Sequence, residues 1–426
     1  MSTKVLLEAP ILTQSGYGEH ARFVYRAIKD AGLDIYISPL NWGTTGWMSE
    51  ASEEREKIDE CVRKNVIYVQ QCREANVNPD YDMQIFVGIA NEFTKKAKYS
   101  VLVTAGIETD KVSPSWILKV HSEIDKVIVP SEHAKDGFVK TTHTFQDSGG
   151  NQVNLGCNKP VDVVPYPVKS FEDNQTIELD LEYEFNFLSV AMWGVRKNLY
   201  NMVKWFIEEF REEPVGLVIK TSQSRNSTPD RTMTRAMLEK MVSEMGDKKC
   251  KVYLLHGDLS DSELHALYNN EKIKSYLSAT HGEGYGLPLF EAAYQGLPIV
   301  CTDWSGHLDF LNSPWKEKGS KKEKMKKLFA KVDYDLKNVP SEAVWQNIII
   351  PESQWAYPKE KSFKEQMRKM YSQHGVYKKF AKVLKENTLK KYEYGKVLEM
   401  MKESLIPDFV KPDEEWAETL SSIEIL

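Results

Sequence analysis

The sequence predicts a two-domain α/β protein built on parallel sheets. At 426 residues the chain is too long for one ordinary hydrophobic core, and strand-like and helix-like segments alternate along it. Apolar residues make up 41% and charged residues 28%, a balance typical of globular proteins rather than disordered ones. In two places a strand, a glycine turn, a helix and a second strand follow one another, and this order is the repeating unit of a parallel sheet.

The first of these units opens the chain. Residues 4–9 predict a strand, a loop with Gly16 and Gly18 follows, and residues 21–31 predict a helix. Residues 33–37 predict the next strand. A Gly-x-Gly loop after a strand is typical of turns beside a ligand, but a tight turn without a ligand explains it about as well.

The second unit spans residues 274–301 and carries the more specific pattern. Residues 274–279 are largely apolar and predict a strand. Three glycines follow, at positions 282, 284 and 286. Residues 287–294 predict a helix, and residues 297–301 predict the start of another strand. The glycines therefore lie between a strand end and a helix start.

This glycine turn has the composition of a phosphate site. Backbone N–H groups of glycines approach a ligand closely, and the positive end of the following helix attracts anions. Glu283 lies before the turn and Glu291 lies inside the helix. A carboxylate accepts hydrogen bonds from two hydroxyls at once. Amide donors for phosphate between two carboxylates for sugar hydroxyls indicate a nucleotide-sugar site.

The other elements continue the alternation. Further strands are predicted at residues 65–70, 83–88, 99–104, 126–129, 161–168, 185–192, 215–221 and 251–255. Further helices are predicted at residues 50–64, 199–210 and 231–245, and from Ser260. Residues 141–160 predict a loop or small insertion, and residues 169–184 a linker. After Asp309 the chain becomes lysine-rich and is expected to be helical.

Residues 283–291, Glu-Gly-Tyr-Gly-Leu-Pro-Leu-Phe-Glu, resemble a known signature. Together with the following Gly-Leu-Pro-Ile-Val and Asp-Trp-Ser-Gly, they resemble the E-x7-E motif of retaining GT-B glycosyltransferases, above all family 4. The resemblance implies two Rossmann-like domains facing across a cleft, with the C-terminal helix crossing back to the first. Residues 1–168, joined by about 400–426, would form the acceptor domain, and residues 169–399 the nucleotide-sugar donor domain.

The same resemblance assigns roles to individual residues. Glu283 would contact the donor sugar and Glu291 the nucleotide ribose, while Lys197 and its neighbour Arg196 would hold the diphosphate. The further donor-binding residues would be Gly16, Gly18, Lys220, His256, Gly257, Leu259, Gly284, Tyr285, Gly286 and Leu287. The acceptor side would include His281 and two tryptophans of a polar, aromatic loop suited to stacking on a sugar ring, Trp42 and Trp47.

The chain departs from the family pattern at two points. Family members often place a histidine after the strand that ends near residue 104, and this chain offers Glu108 instead. Glu108 is therefore a catalytic candidate, with a helix-capping or surface carboxylate as the open alternative. Many relatives also carry an arginine several residues before Lys197, where this chain has Ala191 or a neighbour. The cationic clamp is then incomplete, or is completed by Lys220 or Arg225.

The implied reaction is sugar transfer with retention of configuration. A nucleotide-sugar, with a UDP-sugar favoured, would donate to an acceptor hydroxyl in polysaccharide or glycolipid synthesis, through a transition state resembling an oxocarbenium ion. No cofactor is implied. The triplets Asp80-Tyr-Asp and Asp333-Tyr-Asp mimic the D-x-D metal motif but lack its surroundings, so no catalytic metal is expected.

Other functions stay open at this point. The lysine-rich, arginine-poor chain also resembles glycosyltransferases of tailed bacteriophages, some of which modify hydroxymethylated cytosine in DNA. Lysine tracts at residues 316–331 and 378–391 would then grip phosphates, although a solvated helix face also explains them. An inactive regulator that only binds the nucleotide-sugar is a further alternative, against which the intact glutamate pair argues. No residue marks a pyridoxal lysine of a glycogen-phosphorylase-like enzyme.

Cysteine usage and hydropathy point to the cytoplasm. Five cysteines are scattered without a C-x-x-C pair, which indicates a reducing compartment rather than disulfides or zinc. No run approaches the roughly 18 apolar residues of a membrane span, so no stable membrane insertion is expected. Met1 leads directly into a strand, which leaves no room for a signal peptide. The net charge of −6 favours no particular partner.

Overall fold

The computed structural model describes residues 3–42, 51–146, 149–171, 175–224, 226–317, 319 and 322–407. The elements of the first half are β1 (Lys4–Ala9), α1 (Gly16–Asp30), β2 (Asp34–Pro39), α2 (Glu53–Glu74), β3 (Tyr81–Val87), β4 (Ala97–Val103), α3 (Pro114–Ser122), β5 (Lys126–Val129), α4 (Glu132–Val139), β6 (Thr142–Gln146), β7 (Gln152–Gly156) and β8 (Val161–Val163).

The second half begins with β9 (Phe185–Val190), α5 (Leu199–Phe210), β10 (Val215–Lys220), α6 (Thr228–Glu244), β11 (Lys251–Leu255), α7 (Asp261–Tyr268), β12 (Ile273–Ser278), α8 (Leu287–Gln295) and β13 (Ile299–Thr302). It ends with α9 (Leu308–Leu311), β14 (Asn312–Trp315), β15 (Lys324–Lys327), β16 (Ala330–Val332), β17 (Tyr334–Asn338), β18 (Gln354–Pro358), α10 (Glu360–Ser372), α11 (His374–Lys391) and α12 (Tyr394–Leu405).

Each half is organised around one six-stranded parallel sheet. The strand orders are β2-β1-β3-β4-β5-β8 and β11-β10-β9-β12-β13-β16, and every pairing within them is parallel. Their central strands, β3, β4, β9 and β12, are mostly buried, as expected where helices cover both faces of a sheet. The predicted α/β architecture of two Rossmann-like halves is confirmed. The boundary between residues 168 and 169 stays a prediction.

The last described helix packs against the first half. The ring of Tyr394 in α12 meets that of Phe23 in α1 edge-on, with 6.0 Å between centroids. Lys402 Nζ lies 2.8 Å from Asp30 Oδ2, and the hydroxyl of Ser404 donates to Asp162 Oδ2 at 2.8 Å. The end of the described chain therefore clasps the two halves together. Among the described residues, none of the helices has the length and apolar character needed to cross a bilayer.

The strand predicted at residues 65–70 is wrong, because α2 continues through it to Glu74. The cluster of Val66, Ile67 and Val69 suggested a strand, yet Val66 is 60% and Ile67 55% exposed. Polar residues surround these side chains on both sides, so the helix extends as a solvated element. Tyr68 in this stretch contacts the first sheet, with its ring centroid 5.2 Å from that of Tyr36.

Two other predictions need correction, and the structure adds detail to a third. Helix α1 begins at Gly16, because the Ser15 side chain accepts from Gly18 N at 3.0 Å, so both glycines lie in the first helical turn. The insertion at residues 141–160 contains a β-hairpin, β6–β7. The lysine-rich stretch after Asp309 begins with strands rather than helices, because β14 pairs with β15 and β16 joins the sheet edge.

Candidate functional site

The glycine turn between β12 and α8 lies at the carboxyl edge of the second sheet. Gly286 caps α8 with a φ of 89°, in the left-handed region that glycine adopts without strain. Pro288 lies in the first helical turn, where its missing N–H removes no helical hydrogen bond. These residues end the strand and start the helix, which is one residue longer than predicted.

The amino ends of α1 and α8 face each other across the crevice between the halves. A Cβ atom on Gly16 would lie 3.6 Å from Cδ1 of Leu287, the first residue of α8. Helix amino ends carry partial positive charge and free N–H groups, so two facing ends favour a bound anion. Gly18 has a packing reason instead, because a Cβ there would lie 1.9 Å from the carbonyl oxygen of Thr13.

The glycine turn also packs so closely against the backbone of the first half that no side chain would fit at two of its glycines. A Cβ atom on Gly282 would lie 2.0 Å from Glu108 O, and one on Gly284 would lie 1.9 Å from Ala105 O. The hydroxyl of Ser131, at the start of α4, donates to Gly284 O at 2.5 Å. Two of the three glycines therefore let the halves meet, a reason that the sequence pattern did not reveal.

Four of the predicted catalytic side chains form one charge cluster. Lys197 Nζ lies 2.6 Å from Glu283 Oε1, and Arg196 Nη1 lies 3.0 Å from Glu283 Oε2. Arg196 also reaches the first half, where its Nη2 lies 3.3 Å from Glu108 Oε1. Glu108, Arg196, Lys197 and Glu283 are thus brought together from three separate loops.

The pKa values in this cluster favour the charged carboxylate. Burial raises the pKa of Glu283, but Lys197 and Arg196 outweigh it and lower the pKa to about 2. Burial and the neighbouring Arg196 lower the pKa of Lys197. Burial lowers the pKa of Arg196, but Glu108 and Glu283 raise it further, so the net direction is upward.

The turn between β9 and α5 positions the side chains of Arg196 and Lys197. Asn198, at the amino end of α5, has a φ of 53°, and its side-chain amide donates to Ala279 O at 3.2 Å. The N–H of His281 donates to Arg196 O at 2.8 Å. Neighbouring strand ends of a parallel sheet hold both turns, and these bonds fix Arg196 against the glycine turn.

Glu291 lies in a small cavity of about 70 Å³ between the halves, which α1 and α8 both line. Its Oε2 accepts from the hydroxyl of Tyr268 at 3.0 Å. Burial raises the pKa of Glu291 to about 7, although the nearby Lys169 opposes this shift. Lys169 bridges the halves at the cavity wall, 3.3 Å from Glu19 Oε2 and 2.8 Å from Asp261 Oδ2.

Two loops that carry predicted donor-binding residues follow β10 and β11 at the same sheet edge. Lys220 Nζ donates to Gly257 O at 2.6 Å, and burial lowers the pKa of Lys220. The imidazole of His256 is buried and lies 2.9 Å from Asp230 Oδ1, so this ring braces the loop. Leu259 is half-buried and packs against the main core. Arg225 lies outside the described residues.

His281 is held by a hairpin of the second half. Its Nδ1 lies 2.8 Å from Ala356 O, and its ring stacks on Trp355 at 5.7 Å and an interplanar angle of 10°. The hairpin β17–β18 that carries these residues also reaches the first half, because Gln354 N donates to Asp110 Oδ1 at 2.6 Å. Ser113 donates to Asn347 O at 2.7 Å in the same region. His281 thus joins the glycine turn to this hairpin.

The remaining predicted residues divide between packing and the crevice rim. Tyr285 is 3% exposed, and its ring lies 5.1 Å from that of Tyr166 in the core, so it contributes only its backbone to the turn. Trp42 is half-buried, with its ring 4.6 Å from that of Tyr17. Trp47 lies outside the described residues.

The described residues contain no cluster of three or more His, Cys, Asp or Glu side chains that would hold a metal ion. In the first D-x-D triplet, Asp80 and Asp82 each lie 3.4 Å from Lys98 Nζ. In the second, Asp335 lies 2.8 Å from Lys359 Nζ. Lysines thus neutralise carboxylates of both triplets.

Comparison with known proteins adds a family match in the second half. Residues 236–345 match the family model for glycosyl transferases group 1, a span that includes the glycine turn and both of its glutamates. No curated protein sequence matches the chain.

Solved structures resemble the whole chain. A glycosyltransferase from Rickettsia africae is 12% identical at a TM-score of 0.56 and covers 95% of this chain and 99% of its own. Sucrose-phosphate synthase from Thermosynechococcus elongatus is 11% identical at 0.54, covering 99% and 100%. The Anabaena protein HepE, in complex with UDP and glucose, is 11% identical at 0.55, covering 99% and 100%. At these identities the likeness concerns the architecture, and the chain therefore has the GT-B fold.

Proposed function

We propose that the chain is a retaining glycosyltransferase that moves a sugar from a nucleotide-sugar, with a UDP-sugar favoured, to an acceptor hydroxyl. The observation that carries this proposal is the pairing of Arg196 and Lys197 with Glu283 beside the facing amino ends of α1 and α8. The match of residues 236–345 to a glycosyltransferase family supports it, as does the shared fold of HepE, solved with UDP and glucose.

The donor would lie along the glycine turn. Backbone N–H groups of residues 284–287 and the end of α1 would hold the diphosphate, because both present partial positive charge to the crevice. Glu291 would accept hydrogen bonds from the ribose hydroxyls in its cavity. Backbone groups of residues 256–259, in the loop after β11, would contact the nucleobase.

Donor binding would exchange partners in the charge cluster. Both oxygens of Glu283 now accept from cations, at 2.6 Å from Lys197 and 3.0 Å from Arg196. An arriving diphosphate carries more negative charge than one carboxylate, so it would draw the two cations toward itself. The freed oxygens of Glu283 would then bind hydroxyls of the donor sugar.

The same cations would act during bond cleavage. The diphosphate leaves with growing negative charge while the sugar resembles an oxocarbenium ion, so fixed cations stabilise the transition state more than the ground state. Arg196 and Lys197 would supply the charge that a metal ion supplies in other transferases, so we propose metal independence. The departing diphosphate oxygen would take the acceptor proton.

The acceptor would approach from the first half. Glu108 belongs to the first half and contacts Arg196 of the second half at the crevice. Trp42 lies at the rim of the crevice, beside Tyr17. A carboxylate and an aromatic ring suit a sugar acceptor, because one accepts hydroxyl hydrogen bonds and the other covers the apolar ring face. We propose an acceptor glycan or glycolipid.

A donor panel tests this function. Purified protein is incubated with UDP-, GDP- and ADP-glucose, with and without EDTA, and the anomeric configuration of the product is read by NMR. We expect turnover of at least one donor, insensitivity to EDTA, and retention. Donor binding without any turnover would favour the inactive regulator, and inversion would refute the retaining mechanism.

A second candidate acceptor is DNA that carries 5-hydroxymethylcytosine. The structure brings the two lysine tracts into contact at Lys326 and Phe380, and the ring of Trp315, just before the first tract, lies 5.1 Å from that of Phe380. Lys326 lies over both rings, at 4.9 Å and 4.5 Å. Within the described part of the chain, Lys327 pairs with Asp303, whereas no ion pair with a carboxylate is seen for Lys324, Lys378, Lys379, Lys382 or Lys390. Such a basic surface on an acidic protein suits a phosphate backbone.

Salt dependence distinguishes this candidate. Binding to duplex DNA with and without 5-hydroxymethylcytosine is measured between 50 and 200 mM salt. Affinity that falls steeply with salt, together with sugar transfer to the modified base, would favour DNA as the acceptor. Absent binding, or binding without transfer, would leave the glycan or glycolipid acceptor.

A further inference from the structure

A loop that follows β13 lies beneath the glycine turn and holds the backbone of Glu283. Ser305 in this loop has a φ of 91°, a left-handed conformation that is unfavourable for serine. The next residue, Gly306, has no room for a side chain, because a Cβ there would lie 2.1 Å from Gly284 O. The surrounding structure therefore keeps a strained serine directly against the turn.

Both backbone groups of Glu283 bond to this loop. The N–H of Glu283 donates to Ser305 Oγ at 2.9 Å, and the N–H of Gly306 donates to Glu283 O at 2.9 Å. Ser305 is 5% exposed and Glu283 is 7% exposed, so water does not compete for these bonds. The peptide groups on either side of the Glu283 side chain are therefore fixed independently of the charge cluster.

His307 orients the serine hydroxyl. The Nε2 atom of His307 lies 2.8 Å from Thr302 O, and its Nδ1 lies 3.3 Å from Ser305 Oγ. Since a carbonyl oxygen only accepts, Nε2 carries the proton, and Nδ1 of the neutral ring accepts from the Ser305 hydroxyl. The lone pairs of Ser305 Oγ then point to the N–H of Glu283. The fully buried His307 ring thus fixes which group donates in each of the three hydrogen bonds, from the N–H of Glu283 through Ser305 and His307 to Thr302 O.

We infer that Ser305 and His307 are positioning residues for the donor, acting through the backbone of Glu283. They set where the Glu283 carboxylate meets the sugar and where the following amides meet the diphosphate. This inference rests on the proposed function and extends it to two residues that contact no donor themselves. The strain at Ser305 has a use in this arrangement, because a relaxed backbone would move Oγ away from the N–H of Glu283.

The test uses Ser305→Gly in the full-length protein. Glycine adopts a φ of 91° without strain, so this change removes Oγ while the loop keeps its path. We expect donor kcat/KM to fall about tenfold, while acceptor KM stays unchanged. A tenfold loss corresponds to about 1.4 kcal/mol, which is typical of one hydrogen bond. The melting temperature should stay within a few degrees of wild type. Asn76→Gly is the matched control, because Asn76 has a φ of 55° far from the turn.

Two histidine variants test the direction of the bonds. His307→Asn keeps an acceptor near the position of Nδ1 and should retain most of the donor kcat/KM. His307→Gln keeps a donor to Thr302 O but removes that acceptor, and should match the loss in Ser305→Gly. Equal behaviour of the two variants would overturn the role of His307.

The outcomes also separate this inference from the proposed function. If wild-type protein binds and turns over none of UDP-, GDP- and ADP-glucose, both are overturned. If wild-type protein turns over a donor and Ser305→Gly does so equally well, only the positioning role is overturned. A loss in Ser305→Gly that affects the melting temperature alone also overturns it, because a merely structural contact would behave in that way.

Discussion

The Nη2 atom of Arg196 lies 3.3 Å from Glu108 Oε1, so an ion pair joins the two halves beside the glycine turn. The other end of the same guanidinium holds Glu283 and the carbonyl oxygen of Gly282, at 3.0 Å and 2.8 Å. One arginine therefore connects the proposed acceptor side with the proposed donor side. Arg196 contacts Glu108 on one side and Glu283 on the other. We therefore expect substitutions on the two sides to affect different steps of the reaction.

Glu108→Gln should lower transfer without loss of donor binding. The amide keeps the shape of the side chain but removes the charge that faces Arg196 and the acceptor. We expect kcat for transfer to fall by about 10²-fold, because the acceptor hydroxyl loses the charged hydrogen-bond partner that orients it, while donor KM changes less than threefold. Steady-state kinetics with Glu92→Gln, at an exposed residue of the same half, as the control checks this. An unchanged kcat would make Glu108 a simple counter-ion of Arg196.

Lys197→Met should slow cleavage of the donor. It removes the cation 2.6 Å from Glu283 that we propose to stabilise the leaving diphosphate. We expect kcat to fall by roughly 10²–10³-fold, the range for loss of one preorganised electrostatic group. Lys204→Met, on the exposed face of α5, is the matched control. Similar kcat values for both variants would contradict the assignment.

Glu291 should make stability depend on pH. Its pKa lies near 7 in the folded protein and is raised from 4.5 by burial, so the folded state favours the protonated acid. The stabilisation is therefore full below pH 4.5 and is lost as pH rises through about 7. Melting temperatures between pH 4.5 and 8 should fall more steeply for wild type than for Glu291→Gln. The exposed Glu271→Gln variant should retain the wild-type slope.

Glu283 should make the stability of the fold depend on pH in the acid range, with the opposite sign to Glu291. Its folded pKa of about 2 lies below the usual 4.5, because two cations outweigh burial. This contribution to the free energy of unfolding is present above pH 4.5 and is lost as pH falls through about 2. Acid denaturation followed by circular dichroism should thus begin at higher pH in Lys197→Met than in wild type. An identical acid midpoint would argue against the ion pair.

Gly284→Ala should separate the halves. The added methyl group would lie 1.9 Å from Ala105 O, so the turn and the first half must move apart. We expect a melting temperature several degrees lower and loss of transfer, measured by calorimetry and turnover. Gly375→Ala is the control, because a Cβ at that position meets nothing within 4 Å. Full activity of Gly284→Ala would show that the crevice does not need this close contact.

Local patterns predicted much of this molecule. Apolar runs bounded by glycine and proline located most strands of both sheets, and the spacing of Glu283 and Glu291 located the turn. The strand predicted at residues 65–70 was wrong, because its apolar side chains stay exposed on a helix, and the residue that it buries there, Asn65, accepts from the distant Tyr81 hydroxyl. In the site, the sequence analysis named the four charged residues that lie together in the structure, which are Glu108, Arg196, Lys197 and Glu283.

Contacts between distant segments escaped prediction. Ser131 and Ser305 bond to the glycine turn from residues 153 and 22 positions away, and no short motif encodes such pairs. The only local sign of Ser305 is Asp-Trp-Ser-Gly, which does not reveal a left-handed serine. The reason for Gly282 and Gly284 was equally non-local, because the backbone they admit belongs to the first half.

The clasp of α12 on α1 has a consequence for how the protein is made. The first sheet leaves the ribosome more than 200 residues before the helix that covers Phe23 and pairs with Asp30. During translation this apolar surface stays uncovered, which is the situation in which chaperones engage nascent chains. A truncation after Glu393 should consequently yield a first half that aggregates, even though its own strands are intact.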